Sequence, residues 1–202
     1  GGIKAAGNYD GFRATQEMRT DPATVVGIGY VHPFQMHLAP GTGDFVAIGT
    51  AKGVGVSACA SDYDALWTVY MDWVLGGVYQ CFDVQTDVYG VGGKPSFIIQ
   101  RTTCTSTGAI RWVLTWAGSQ RACLVHGATS AVRSAAGLET TGPGTVDRNI
   151  DVKYTFLRTS AVGNANWVDF GNCELAPSFA DPNYTIDSVS NTSCNLFLAP
   201  LN

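Results

Sequence analysis

His32 and His37, in the stretch Val31-His-Pro-Phe-Gln-Met-His37, are the first residues along the chain whose types could ligate a metal. In a strand, a spacing of five puts them on opposite faces, so joint ligation would need a distortion at Pro33. Without it they read as ordinary surface or edge histidines. His126 could be combined on paper with a serine and an aspartate, but no segment has the serine elbow such a triad uses. Asp62-Tyr-Asp64 and the run from Asp147 to Asp151 offer carboxylates, and Ca2+ takes several oxygen ligands. Neither run has regular loop spacing, so they read as solvated turn acids, and neither a metal nor another cofactor is expected. Trp67, Trp73, Trp112, Trp116 and Trp167 could stack on sugar rings, yet alternating tryptophans in strands mostly fill cores. Trp112 and Trp116 are the two kept as binding candidates.

The six cysteines, Cys59, Cys81, Cys104, Cys123, Cys173 and Cys194, form no CxxC pair, which speaks against zinc. They read as disulfides. Spacing alone does not choose a pairing, but joining neighbours (59 to 81, 104 to 123, 173 to 194) would staple three hairpins. Asn183-Tyr-Thr and Asn191-Thr-Ser are acceptor sequons for glycosylation in a secreting eukaryote. Charged residues are 14%, against about 25% in ordinary soluble chains, and this with the cysteines points outside the cell. A start at Gly1 without Met fits a processed mature protein, or a tag scar. A net charge of −4 without a basic cluster excludes a nucleic-acid surface. No apolar run approaches the roughly 18 residues of a membrane span.

The elements that must position these residues are strands. Ser96 to Cys104, Ala109 to Ala117 and Arg121 to His126 are separated by short turns, and Ile110, Trp112, Leu114 and Trp116 alternate with Arg111, Val113 and Thr115. That period of two marks a strand with one buried face. Phe12, Ala14, Gln16 and Met18 predict a strand over 11–19, after a loose small-residue arm over 1–10. Residues 25–36 predict a strand with an edge or bulge at Pro33, and Phe45 to Ile48 a short one. Trp67, Val69, Met71 and Trp73 share one parity, and Gly76-Gly77 then turns the chain into Val78 to Val84. Residues 129–139 are read as a strand rather than a short helix. Ile150, Val152, Tyr154 and Phe156 share one face, Asn166 to Phe170 and Tyr184 to Val189 are final strands, and 195–201 is a tail. The expectation is an all-β, single-domain antiparallel β-sandwich, disulfide-stapled, over residues 11–202.

Asn164-Ala-Asn-Trp-Val-Asp-Phe170, Pro177-Ser-Phe-Ala-Asp181 and Tyr184-Thr-Ile186 resemble the C-terminal strand region of the eqolisin-type glutamic peptidases, which carry Asn-Ala-Glu-Trp and later Phe-Ala-Asp. Ile98-Ile-Gln100, followed by Trp112 and Trp116, resembles their Gln-bearing strand and the Trp-rich strand after it. The resemblance implies a sandwich of jelly-roll or concanavalin-like type in which a Gln and a Glu activate water and stabilise an oxyanion. Gln100 matches the Gln; the Glu position is Asn166, and an amide cannot act as a general base. Ala135-Ala-Gly-Leu-Glu139 resembles the Gly-Gly-Glu element of neprosin-like secreted sandwiches, which makes Glu139 a displaced carboxylate.

These readings predict a secreted, non-catalytic protein that acts through its surfaces. It would bind an extracellular glycan or protein partner, or assemble with copies of itself through the N-terminal arm. The alternative is a glutamic-peptidase-like acid hydrolase using Gln100 and Glu139.

Overall fold

The computed structural model describes residues 2–20, 29–39, 41–53, 63–141, 150–161, 166–171, 173 and 184–198. Among them the chain forms fourteen strands and no helix: β1 (Gly2–Met18), β2 (Gly29–His37), β3 (Phe45–Gly53), β4 (Tyr63–Leu75), β5 (Val78–Tyr89), β6 (Ser96–Thr103), β7 (Ile110–Trp116), β8 (Ser119–Leu124), β9 (Ala131–Gly137), β10 (Glu139–Thr141), β11 (Ile150–Ala161), β12 (Trp167–Asp169), β13 (Tyr184–Ser190) and β14 (Ser193–Leu198). No helix among these residues is thus long and apolar enough to cross a membrane. The strand pairs are antiparallel, and they form a β-sandwich.

One layer runs β9 and β10, β2, β3, β4, β5; the other runs β8, β7, β6, β1, β11, β14, β13, with β12 on β11. β1 belongs to both. Its residues Gly2 to Tyr9 pair with β9, and Gly11 to Thr15 pair with β6, while Tyr9 to Met18 pair with β11. Residues 2–10, expected as a loose arm, are therefore the first half of a strand paired within the chain.

Alternation decides what lies between the layers. Phe12, Ala14, Gln16 and Met18 are buried together, as the period of two predicts, and so are Trp67, Val69 and Trp73, with Met71 packed against them. Phe12 of the second layer stacks on Phe34 of the first, ring centroids 3.9 Å apart. Burial of a side chain of this size contributes roughly 1.5–3 kcal/mol. Trp112 and Trp116, expected as a binding platform, belong to this core at 1% and 4% exposure. Their indole N–H groups are satisfied internally, by the Ala128 carbonyl and the Tyr89 hydroxyl, each at 3.1 Å. Ile110 departs from the pattern, because it opens β7 at the rim and is exposed.

Pro33 lies inside β2 rather than on an edge. On one side it pairs with Gly49 of β3. On the other, β9 pairs as far as Phe34 and β10 begins at Val31, so a residue without N–H stands where the neighbouring ladder breaks. Residues 129–139 contribute strands β9 and β10 and no helix. The Gly76-Gly77 turn joins β4 to β5 as expected, with φ of 59° and 78°, as a type I′ hairpin requires. Residues 195–198 of the expected tail belong instead to β14, paired with β11 and β13, and the rest of it lies outside the described residues.

Ile150, Val152, Tyr154 and Phe156 do not all share a face. Between the pairs Arg13–Arg158 and Thr15–Thr155 the register of β1 against β11 slips. There Phe156 adopts φ 56° and is 69% exposed. A bulge inserts an extra residue and so reverses the side-chain alternation beyond it.

Cys104 and Cys123 form the expected disulfide across a separation of 19 residues. Cys81 is disulfide-bonded, and Cys59, its expected partner, lies outside the described residues. Cys173 and Cys194 are not joined: both are buried free thiols, in hydrogen-bond contact with one another.

Candidate functional site

β2, β3 and β4 position one polar cluster on the outer face of the first layer. The odd residues of β2 and β3 and the even residues of β4 point away from the core, so Gln35, Ala47 and Asp72 share one rung, with Pro33, Gly49 and Tyr70 on the next on that face. The floor of this face is small: Ala47 and Ala51 are fully covered. Gly49 has no room for a side chain, because a Cβ there would meet the His32 carbonyl and the Tyr70 ring. Around the floor stand Tyr70, Asp72, Tyr79 and Glu139.

The Tyr79 hydroxyl donates to Asp72 Oδ2 at 3.1 Å. Burial pushes the Asp72 carboxyl up to about 6; the Tyr79 hydrogen bond opposes this and the charge of Glu139 adds to it. Glu139, on β10 beside Val31, is exposed on one side, yet desolvation against the sheet raises its pKa as well. Burial raises Tyr70 and Tyr79 well above a normal phenol, with Asp72 the next cause, so both stay protonated donors. The result is a partly desolvated carboxyl that holds its proton in mild acid, with phenol donors beside it and an amide, Gln35, across one alanine. Such a carboxyl can take a proton from water near pH 6 and return it to a leaving group.

Gln100 and Glu139, the pair expected to act together, do not meet. Gln100 is on β6, where Phe97 and Ile99 face the core, so it points to the outer face of the second layer, on a rung with Gly11. Glu139 is on the outer face of the first layer. Asn166 immediately precedes β12 and is exposed. Asp72, Tyr79 and Gln35 were missed by sequence reasoning. The signal was available: Thr68, Tyr70 and Asp72 are the polar parity of the strand whose apolar parity was recognised.

His32 and His37 do lie on opposite faces. His32 is not at the surface: it stacks on Trp67 at 4.3 Å, and burial pushes its pKa down to about 3. The Thr50 hydroxyl donates to Gln16 Oε1 at 3.3 Å, so His32 Nδ1 donates to that hydroxyl at 3.2 Å, and Gln16 Nε2 donates to the His32 carbonyl at 2.9 Å. This network joins the two layers through the core. Burial and Arg133, whose Nη2 is 2.8 Å from Nε2, push His37 down to about 4. His126 accepts the Ala128 N–H at Nδ1, so the proton on Nε2 is directed at Asp44 Oδ2, 3.0 Å away. Asp62 and Asp147 lie outside the described residues, and Asp151 pairs with Arg19 at 3.7 Å. Asn191 is exposed in the β13–β14 turn; Asn183 lies outside the described residues.

No protein-family model matches the sequence, and no curated protein matches it. Solved structures do. SCP-B, a member of the eqolisin family of peptidases in complex with the tripeptide Ala-Ile-His, matches at 10% identity and TM-score 0.57, over 98% of this chain and 97% of that one. Scytalido-glutamic peptidase with a transition-state analogue inhibitor matches at 13% identity and TM-score 0.59, with the same coverage. The fold is an eqolisin-like β-sandwich. The resemblance seen in the C-terminal half thus extends over nearly the whole chain. It also corrects the functional expectation: neighbours over this length are peptidases, which displaces the non-catalytic module acting by glycan binding or self-assembly. Because these likenesses lie under 15% identity, they establish architecture, and the chemistry must be argued from this chain's own residues.

Proposed function

We propose that this chain is an extracellular acid hydrolase of peptide bonds, of the glutamic-peptidase type in fold, working on the outer face of the first layer. The observation that carries the reading is the raised Asp72 carboxyl beside Tyr79, on one rung with Gln35. In the mechanism, ionised Asp72 takes a proton from the attacking water and the Gln35 amide donates to the developing oxyanion. Protonated Asp72 then returns its proton to the leaving amine; burial, with a smaller contribution from Glu139, holds the pKa of Asp72 high. Gln100 has no part in this. The Cys104–Cys123 bridge supports an oxidising compartment.

The test is hydrolysis of an unfolded protein substrate between pH 3 and 7. Asp72→Asn is expected to lower kcat by at least about a hundredfold, the scale of a lost general base. Gln100→Ala should leave turnover unchanged. Full turnover by Asp72→Asn, or no cleavage by the wild type at any pH in that range, would remove the reading.

A further inference from the structure

The outer face of the second layer, opposite the proposed active site, carries a groove of about 320 Å³ lined by Arg13, Thr15, Ser96, Ile98 and Phe156. Three features of it are unexplained by folding alone. Arg13 pairs in register with Arg158, so two guanidiniums stand side by side. Arg158 is neutralised by Asp169 at 2.6 Å, whereas Arg13 rests over the Trp167 ring at 4.6 Å and has no carboxylate partner among the described residues. Burial and Arg158 both lower its pKa, so an anion here would relieve an existing repulsion.

Phe156 is the second feature. At its bulge a glycine would adopt φ 56° without strain, yet the position holds a phenylalanine whose ring stands in solvent at the groove. The third is Gly11: a side chain there would meet the Trp167 ring at 2.8 Å, and its absence lets that ring lie across β1 toward Arg13. On the same face Thr15 and Ser96 share a 2.8 Å hydroxyl pair, in which one O–H bonds the other oxygen and the second remains a donor beside the cation.

We propose that this groove docks an extended acidic peptide segment, with a carboxylate on Arg13 and the remaining donor of the Thr15 and Ser96 hydroxyl pair and the adjoining apolar side chain on Phe156 and Ile98. A neutral sugar would leave Arg13 uncompensated beside Arg158. A cation next to exposed apolar surface fits a carboxylate flanked by an apolar residue, which a peptide supplies.

Calorimetric titration at pH 7 with an end-blocked hexapeptide containing glutamate next to leucine, and its glutamine counterpart, tests this. The glutamate peptide should bind about tenfold more tightly, the scale of a charge-assisted hydrogen-bonded pair. Arg13→Gln should abolish that discrimination and Arg13→Lys keep part of it. Phe156→Gly, which suits the backbone, should weaken both peptides equally. Asp72→Asn should leave both affinities unchanged, which separates this groove from the catalytic face. Equal binding of the two peptides by the wild type, continued discrimination by Arg13→Gln, or binding only of a neutral oligosaccharide would overturn the proposal.

Discussion

The Tyr79 hydroxyl donates to Oδ2 of Asp72 across 3.1 Å, while Oδ1 of the same carboxylate is buried without a hydrogen-bond partner among the described residues. One oxygen is therefore held by a phenol and the other is desolvated, which is what raises the carboxyl's pKa. Its folded pKa, about 6, is above the ordinary 3.8, so Asp72 stabilises the fold below the unfolded value and that stability is lost as pH rises through 6. A shift of two units amounts to at most about 3 kcal/mol. Thermal melts should show the wild type losing Tm between pH 4 and 6, and Asp72→Asn lacking that slope. Tyr79→Phe removes the contact that favours the anion and should move the midpoint higher.

His32 titrates with the opposite sign. Its folded pKa of about 3 is below the unfolded 6.5, so its contribution is complete above 6.5 and is lost as pH falls toward 3. The loss is on the order of 1 kcal/mol per pH unit across that window. His32→Gln should flatten the acid limb of a denaturation profile; an unchanged acid limb would assign acid sensitivity elsewhere.

Gln16 ties His32, Thr50 and Tyr154 together inside the core, reaching the Tyr154 hydroxyl at 3.3 Å. Gln16→Ala would strand buried polar groups, at a cost of about 1–3 kcal/mol for each. Urea titration should record a lower midpoint with little change in slope.

Asp44 accepts the Gly76 N–H at 3.1 Å as well as the His126 contact, clamping the loop before β3 to the β4–β5 turn. The Gly76 hydrogen bond, followed by His126, holds its pKa below the usual carboxylate range. Its stabilisation is present above 3.8 and fades as pH falls through the lower folded value. Asp44→Ala should lower Tm at pH 7 and speed hydrogen exchange at Gly76, with the deficit shrinking in strong acid.

Breaking Cys104–Cys123 by double substitution to serine should cost about 3 kcal/mol, given a closed loop of 19 residues. Because Gln120 also accepts the Thr105 N–H at 2.8 Å across this loop, the change should stay local and leave the melt cooperative.

What the sequence made legible was whatever depended on alternation within one strand. The buried parity of β1 and β4, the Gly76-Gly77 hairpin and the Cys104–Cys123 bridge all follow from local spacing. What escaped depended on partners far along the chain. Trp112 and Trp116 follow the buried parity of their strand and not the binding role they were kept for, whereas Phe156 is outside because β11 slips against β1, which its own spacing does not encode. The candidate site divides the same way. Glu139 was found through a motif, but its partners Asp72 and Gln35 come from strands that only the register of β2, β3 and β4 brings together.

β1 also has a consequence in time. Its partners on β9 and β11 follow it by well over a hundred residues, so at roughly 5–20 residues per second of synthesis it waits on the order of ten seconds for them. Until β6 emerges both ladders of the strand are open, with Phe12 and Met18 uncovered, a template for other chains. The strand that welds the two layers is thus the one that a nascent chain most needs shielded, and the yield of folded protein should respond to whatever binds it in that window.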